Sequence, residues 1–322
     1  MAAALSVAGC AQVQDTFRDA ADGLDRVFGV ESEQPAQSKP EEAEPLYQAG
    51  LAARARGAEE EAFERFLEAA QLGHGPAAYE VGRGYSDGTG TAQDADAGAK
   101  WINIAASLGE PRAQFMVGAA YYGGIGVERD YDRAVLFLAE AAAQGHAEAQ
   151  YLLGEAYSNG RGVPANAAWA ARWYGKAAAQ GLSEAQYAYG VVHARGLGLP
   201  ANRTVGYGWL LLAGRGGHEK ADVVRRAIAT KMAPEAIKRA EAWASRFRPQ
   251  TEAPFVDSPT VMYVQQVLNT LGYDAGPVDG KPGPRTRRAV TKYQDKAGLQ
   301  QRDGRISPDL IDRLLAEQST ES

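Results

Sequence analysis

Few side chains in this sequence have the type and spacing to do chemistry, and each excludes more than it allows. Cys10, in the segment LSVAGCAQVQ (residues 5–14), is the single cysteine. It has no partner for an internal disulfide, and a catalytic thiol needs a neighbouring histidine to hold it as a thiolate. A thiol in an N-terminal tail is therefore incidental or a point of attachment. Four histidines are present. His74, His146 and His218 each follow a glycine at the same register of a repeat, and His193 takes a position held elsewhere by Tyr85, Tyr121 and Tyr157. Equivalent positions of successive repeats do not converge, so a metal centre of His and carboxylate ligands is not expected, nor is any cofactor. Glutamates are plentiful but read as helix-surface residues, not as a carboxylate pair in a cleft of the kind glycoside hydrolysis requires. The stretch KPGPRTRR brings Lys281, Arg285, Arg287 and Arg288 beside a helix-opening proline. Cations and helix N-termini both attract carboxylates. A solvated basic helix face remains an equal alternative. The sequence reads as a non-enzyme.

The bulk properties agree with binding rather than catalysis. A chain of 322 residues allows two or three domains. Its 45% hydrophobic and 23% charged residues are globular in type. A net charge of −6 argues against a nucleic-acid protein, which carries a basic face. No apolar run approaches the ~18–20 residues of a membrane-spanning helix.

The elements that would position these residues follow from a period of 36. Residues 111–146 align with 147–182 without a gap, and the match extends both ways. Gly82, Gly118, Gly154 and Gly190 keep the step, as do Ala77, Ala113, Ala149 and Ala185. So do Tyr79, Phe115, Tyr151 and Tyr187, and Trp101, Phe137, Trp173 and Trp209. Each unit predicts two helices, the first over about 113–122. The loop glycines Gly124 and Gly126, and their equivalents, suit positive φ. Asp94, Asp130, Asn166 and Asn202 are expected N-caps of the second helix. Gly73, Gly109, Gly145, Gly181 and Gly217 are expected to close it. One helical pair cannot bury both faces, so the pairs must stack into an all-α solenoid.

The pattern A-x-Y-x-x-G, then G-x-G-V, D-Y, A and W-Y-x-x-A-A-x-x-G resembles the Sel1-like repeat family, a relative of the tetratricopeptide repeats. The resemblance covers roughly residues 45–247. Four repeats are clear, at 75–110, 111–146, 147–182 and 183–218, between a shorter pair at 45–74 and a last pair at 219–247. The family implies scaffolding of a protein partner, with first helices lining a concave face that includes Tyr79, Phe115, Tyr151, Tyr187 and Tyr122. The alternative is that these aromatics are interlayer core.

The period stops at a proline-containing linker, 248–257, and a module over 258–316 follows, with a tail at 317–322. Pro259, Pro284 and Pro308 each suit the first position of a helix. Asp279-Gly280 and Asp303-Gly304 each stand five residues before one of those prolines. The expectation is a small three-helix bundle. Its core would be Val261, Val264, Leu268, Leu271, Val278, Val290, Tyr293, Leu299, Ile306, Leu310 and Leu314. Val261, Gln265, Leu268, Leu271-Gly272-Tyr273, then Asp279-Gly280, Gly283, Thr286, Ala289-Val290, Tyr293-Gln294, then Gly298-Leu299 resemble the peptidoglycan-binding domain attached to many bacterial wall enzymes. The resemblance implies non-covalent binding of wall peptide or glycan, with Asp279, Gly280, Lys281, Gly283, Arg285, Thr286 and Arg288 as the candidate residues. Asp279, the two glycines and Thr286 individually read more readily as turn and helix-start residues.

At the other end, residues 31–45 are acidic, hold three prolines and carry no large apolar residue, so a disordered tether is expected over 10–44. Val7-Ala8-Gly9-Cys10 resembles the lipobox of bacterial lipoproteins. The resemblance implies lipidation of Cys10 after removal of residues 1–9, and a membrane anchor. Residues 1–9 contain no Lys or Arg and only a brief apolar run, so a working signal would be longer. Ala11, rather than Asp, favours the outer membrane. The combined expectation is a periplasmic, lipid-anchored envelope protein that holds peptidoglycan and an envelope protein partner. Its alternatives are a regulator of an envelope enzyme or sensor, and a degenerate wall hydrolase.

Overall fold

The computed structural model describes residues 39–250, 258–299, 301–307, 310, 311, 313 and 314. Cys10, most of the expected tether, Pro308 and the tail 317–322 lie outside the described residues. Every regular element among the described residues is a helix. Two compact units divide the chain, Met1–Ala149 and Gln150–Ser322.

The first unit holds α1 (Pro40–Ala55), α2 (Glu59–Gln71), α3 (Gly75–Asp87), α4 (Ala95–Ser107), α5 (Pro111–Gly123), α6 (Tyr131–Ala143) and the start of α7 (Ala147–Asn159). The second holds the rest of α7, then α8 (Ala167–Ala179), α9 (Ser183–Arg195), α10 (Arg203–Arg215), α11 (Ala221–Ala229), α12 (Pro234–Arg246), α13 (Ser258–Thr270) and α14 (Pro284–Ala297). The four 36-residue repeats are the pairs α3/α4, α5/α6, α7/α8 and α9/α10.

The predicted punctuation is seen. Asp94 Oδ1 accepts the Ala97 amide at 2.9 Å, and Asp130 Oδ1 the Arg133 amide at 3.0 Å. Asn166 Oδ1 accepts from Ala168 and Trp169, and Asn202 Oδ1 from Val205 at 3.1 Å. Each such cap contributes about 1 kcal/mol. Loop glycines Gly124 and Gly126 have φ of 70° and 74°, where a side chain would be strained. The glycine series 82/118/154/190 has a different cause. A Cβ on Gly118 would lie 2.9 Å from Leu138 Cγ, and one on Gly190 2.8 Å from Leu210 Cγ. Within a repeat the two helices touch at this glycine.

A buried glutamine series, bonded within repeats and, at Gln186, across a repeat boundary, was not anticipated. Gln114, Gln150 and Gln186 are buried at the 36-residue step. Gln144 donates to Gln114 Oε1 at 2.8 Å, and Gln180 to Gln150 Oε1 at 2.9 Å. Gln186 Nε2 reaches the Ala178 carbonyl at 3.3 Å. The Ala178 carbonyl, at the end of one repeat, thereby receives a donor from the first helix of the next.

One boundary and part of one core differ from expectation. The first pair begins at Pro40, not residue 45, so residues 40–44 are helix rather than tether. Pro40 stands in the first turn with Glu41 and Glu42, which suit the positive end of a helix. Pro45, the sixth residue, removes one intrahelical bond without ending the helix. In the C-terminal module, Leu271, Val278 and Leu299 are half-buried, while Val267, Ala275, Ala289 and Ile311 complete the core. Residues 310, 311, 313 and 314 are helical where the third helix is expected.

Candidate functional site

The C-terminal module is organised by two glutamines. Gln265, on α13, is 1% exposed. Its Oε1 accepts the amides of Asp279 (3.1 Å) and Gly280 (3.0 Å). Its Nε2 contacts the Asp279 carboxylate, the Lys281 carbonyl and Thr286 Oγ1 at 3.0–3.1 Å. Thr286 in turn donates to the Ala275 carbonyl at 2.9 Å. Gln294, fully buried on α14, repeats the device: Oε1 accepts from Gly304 at 3.1 Å and Nε2 donates to the Arg305 carbonyl at 3.0 Å. Both Asp-Gly turns share one form. Asp279 Oδ1 accepts the Lys281 amide and Asp303 Oδ1 the Arg305 amide, each at 3.0 Å, and Gly280 and Gly304 have φ of 74° and 72°.

This geometry sorts the candidate residues. Gly280 and Thr286 are inside, with the Thr286 hydroxyl spent on two hydrogen bonds, so they shape the loop from within, in the manner of turn and helix-start residues. Asp279 is exposed, yet its carboxylate is held by the Lys281 amide and by Gln265, which lower its pKa. Gly283 is the N-cap of α14, in extended backbone. Lys281, Arg285, Arg287 and Arg288 stand at the surface around that helix start. Arg285 is engaged by Asp274, through Nε at 3.2 Å and a closer Nη2 contact, and this pair holds the Asp274 carboxyl below its usual range. Lys281 and Arg288 extend from the loop and the helix as exposed cations.

In the repeats, the recurring aromatics are half-buried, and three give one ring face to a residue at a repeat boundary. The Arg112 guanidinium lies 4.1 Å from the Tyr79 ring centre. Phe115 stacks on His146 at 4.6 Å, and Tyr187 on His218 at 4.1 Å. Tyr151 packs against Tyr174 at 5.8 Å, and Tyr122 against Tyr131 at 5.3 Å. The residue before each of three first helices also caps it: His74 Nδ1 accepts the Ala77 amide, His146 Nδ1 that of Ala149, and Glu110 Oε1 that of Arg112.

One charged cluster was missed. Glu80, on α3, is almost wholly buried, bridging Arg54 (2.7 Å) on α1 and Arg112 (3.1 Å) on α5. Arg112 also reaches Glu110 at 2.6 Å. A groove of about 470 Å³ beside it is lined by Phe63, Phe66 and Arg83 among others. The signal was in the alignment: Glu80 stands where the other repeats have Met116, Leu152 and Ala188. Among the described residues no group of three or more His, Cys, Asp or Glu is placed to hold a metal. His193 is buried with no hydrogen-bond partner at either ring nitrogen, and burial lowers its pKa to about 4.

Comparison with known proteins agrees with this division. Localization factor PodJL of Caulobacter vibrioides is 33% identical over 113 residues, 32% of this chain, and the chain spans 12% of that relative's length. The crystal structure of a protective antigen of uropathogenic Escherichia coli strains, displaying an SLR fold, is 27% identical, with a TM-score of 0.54 over 64% of this chain and 45% of that one. A Sel1 repeat protein of Oxalobacter formigenes is 33% identical over 53% of this chain and 50% of its own, with a TM-score of 0.48. Residues 257–314 match the family described as "Putative peptidoglycan binding domain". Residues 75–110, 111–146, 147–182 and 183–218 each match the Sel1 repeat, so the chain carries four Sel1 repeats ahead of a domain of the peptidoglycan-binding family.

Proposed function

We propose that this protein is a non-catalytic adaptor of the bacterial cell envelope, which holds peptidoglycan with its C-terminal module and a protein partner with its repeats. The observation that carries the reading is the C-terminal loop: Gln265 and Thr286 fix it from within, leaving Lys281 and Arg288 exposed beside a helix N-terminus. Wall stem peptides carry carboxylates, and such a surface suits them. Sel1 repeats are protein-interaction modules, and a relative named as a localization factor fits a role in placing a partner. Cys10 would be acylated and the protein held in the periplasm at the outer membrane, with several acyl chains giving stable anchoring.

Cosedimentation of the full chain with purified sacculi tests the wall reading. Enrichment with sacculi supports it, and recovery no greater than for an unrelated protein overturns it. Release of soluble muropeptides by the purified protein would overturn the non-catalytic part. Cys10→Ser should move the protein from the membrane fraction to the soluble fraction without changing sacculus binding; a membrane fraction equal to wild type removes the anchor.

A further inference from the structure

We propose that a stripe on α8, formed by Trp169, Arg172, Trp173 and Lys176, is the docking seat of the C-terminal module, so that this repeat and the module turn as one body. The spacing i, i+3, i+4, i+7 puts the four on one helix face. That face points away from Ala170, Ala171, Tyr174, Ala177 and Ala178, the fully buried side of α8. The stripe is a continuous stack. Trp169 and Trp173 lie 6.3 Å apart, Arg172 is 4.5 Å from the Trp169 ring centre, and Lys176 is 4.6 Å from that of Trp173.

The repeat framework does not require this stripe. Position 169 is Ala97, Arg133 or Val205 in the other repeats, and position 176 is Ile104, Glu140 or Leu212. Only Trp173 continues a repeat-wide aromatic series. A side of a helix turned from its own core should stand in water, yet all four residues are half-buried. Arg172 Nε and Nη1 and Trp173 Nε1 are closed off from solvent altogether.

The element proposed to cover it is on the same unit. α13 packs against α8. The linker leading to it is pinned to the end of α8: the Gln250 amide donates to the Ala179 carbonyl at 2.9 Å, and Pro249 Cγ would lie 3.2 Å from a Cβ on Gly181. A single hydrophobic cluster runs from Tyr174 and Tyr189 to Val264 and Leu268, with Trp169 packed on it. A docked module is presented to the wall in one fixed orientation relative to the repeats of its unit. A foreign partner for this stripe must first displace α13.

Nitrogen-15 relaxation on the full chain tests the docking. In the wild type, amides of 258–299 should show the rotational correlation time of amides in 150–247. Trp169→Ala installs the residue that the first repeat carries as Ala97, so the repeat fold tolerates it, and Lys176→Glu changes an end of the stripe without touching the core. Either variant should release the module, shortening its correlation time by about two-fold with helix content unchanged. Arg133→Ala, at the position of Trp169 in another repeat, should change nothing. Independent tumbling of the module in the wild type overturns the proposal, as does a module that keeps the repeats' correlation time in both variants.

Discussion

Gln265 holds Asp279 at both ends of the residue: its Oε1 accepts the Asp279 amide hydrogen at 3.1 Å, and its Nε2 donates to the Asp279 carboxylate at 3.1 Å. The loop carrying Lys281 is therefore hung from a buried side chain on another helix. Gln265→Ala removes the acceptor of two backbone amides and leaves the Thr286 hydroxyl and the Lys281 carbonyl short of a donor. Each buried group left unpaired costs about 1–3 kcal/mol. Urea unfolding followed on the module's amides should show a loss of about 3 kcal/mol or more, and sacculus binding should fall with it.

Positioning residues and contact residues then separate by experiment. Thr286→Val should cost about 1–2 kcal/mol of module stability, because the Ala275 carbonyl and Gln265 lose a partner. Wall affinity of the folded fraction should stay close to wild type. Lys281→Glu with Arg288→Glu should leave stability within about 0.5 kcal/mol, as for surface substitutions in general, and weaken cosedimentation with sacculi at least ten-fold. Raising salt should weaken the wild-type interaction in the same direction.

The sequence was legible where one residue type answers one local demand. Asp94, Asp130, Asn166 and Asn202 were identifiable as caps because a short side-chain acceptor before a helix has few other uses. Gly124 and Gly126 were identifiable because positive φ excludes most alternatives. Gln114, Gln265 and Gln294 were not, since a glutamine's partners are carbonyls and amides distant in sequence, and nothing local marks it as buried. Glu80 was obscured for the opposite reason: the repeat pattern drew attention to what recurs, whereas Glu80 is defined by what does not.

Glu80 links the capping pair to the first two repeats through Arg54 and Arg112. Both arginines are more than a third exposed, so their charges are partly screened, while the Glu80 side chain is 5% exposed. Glu80→Gln should destabilise the first unit by about 1–3 kcal/mol, because a neutral amide loses the charge-assisted bonds and turns two donors toward the guanidinium groups. Glu80→Met, the residue of the next repeat, should cost less, since an apolar side chain leaves no buried polar atom behind. Thermal unfolding followed in the 39–149 region ranks the two, and a larger loss for Met than for Gln counts against the ion-pair account.

His193 makes the second unit sensitive to acid. Its folded pKa of about 4 lies below the ordinary histidine value of 6.5, because burial among Tyr189 and its neighbours disfavours the imidazolium. Below pH 6.5 the unfolded chain takes up a proton that the folded chain does not, so stability falls as pH drops from 6.5 toward 4 and is fully present above that window. The difference corresponds to about 3 kcal/mol at the acid end. His193→Tyr restores the residue of the three preceding repeats and removes the titrating group. Chemical denaturation at pH 7 and at pH 4.5 should show a smaller difference for the variant than for the wild type. An equal difference in the two proteins would assign the acid sensitivity to other groups.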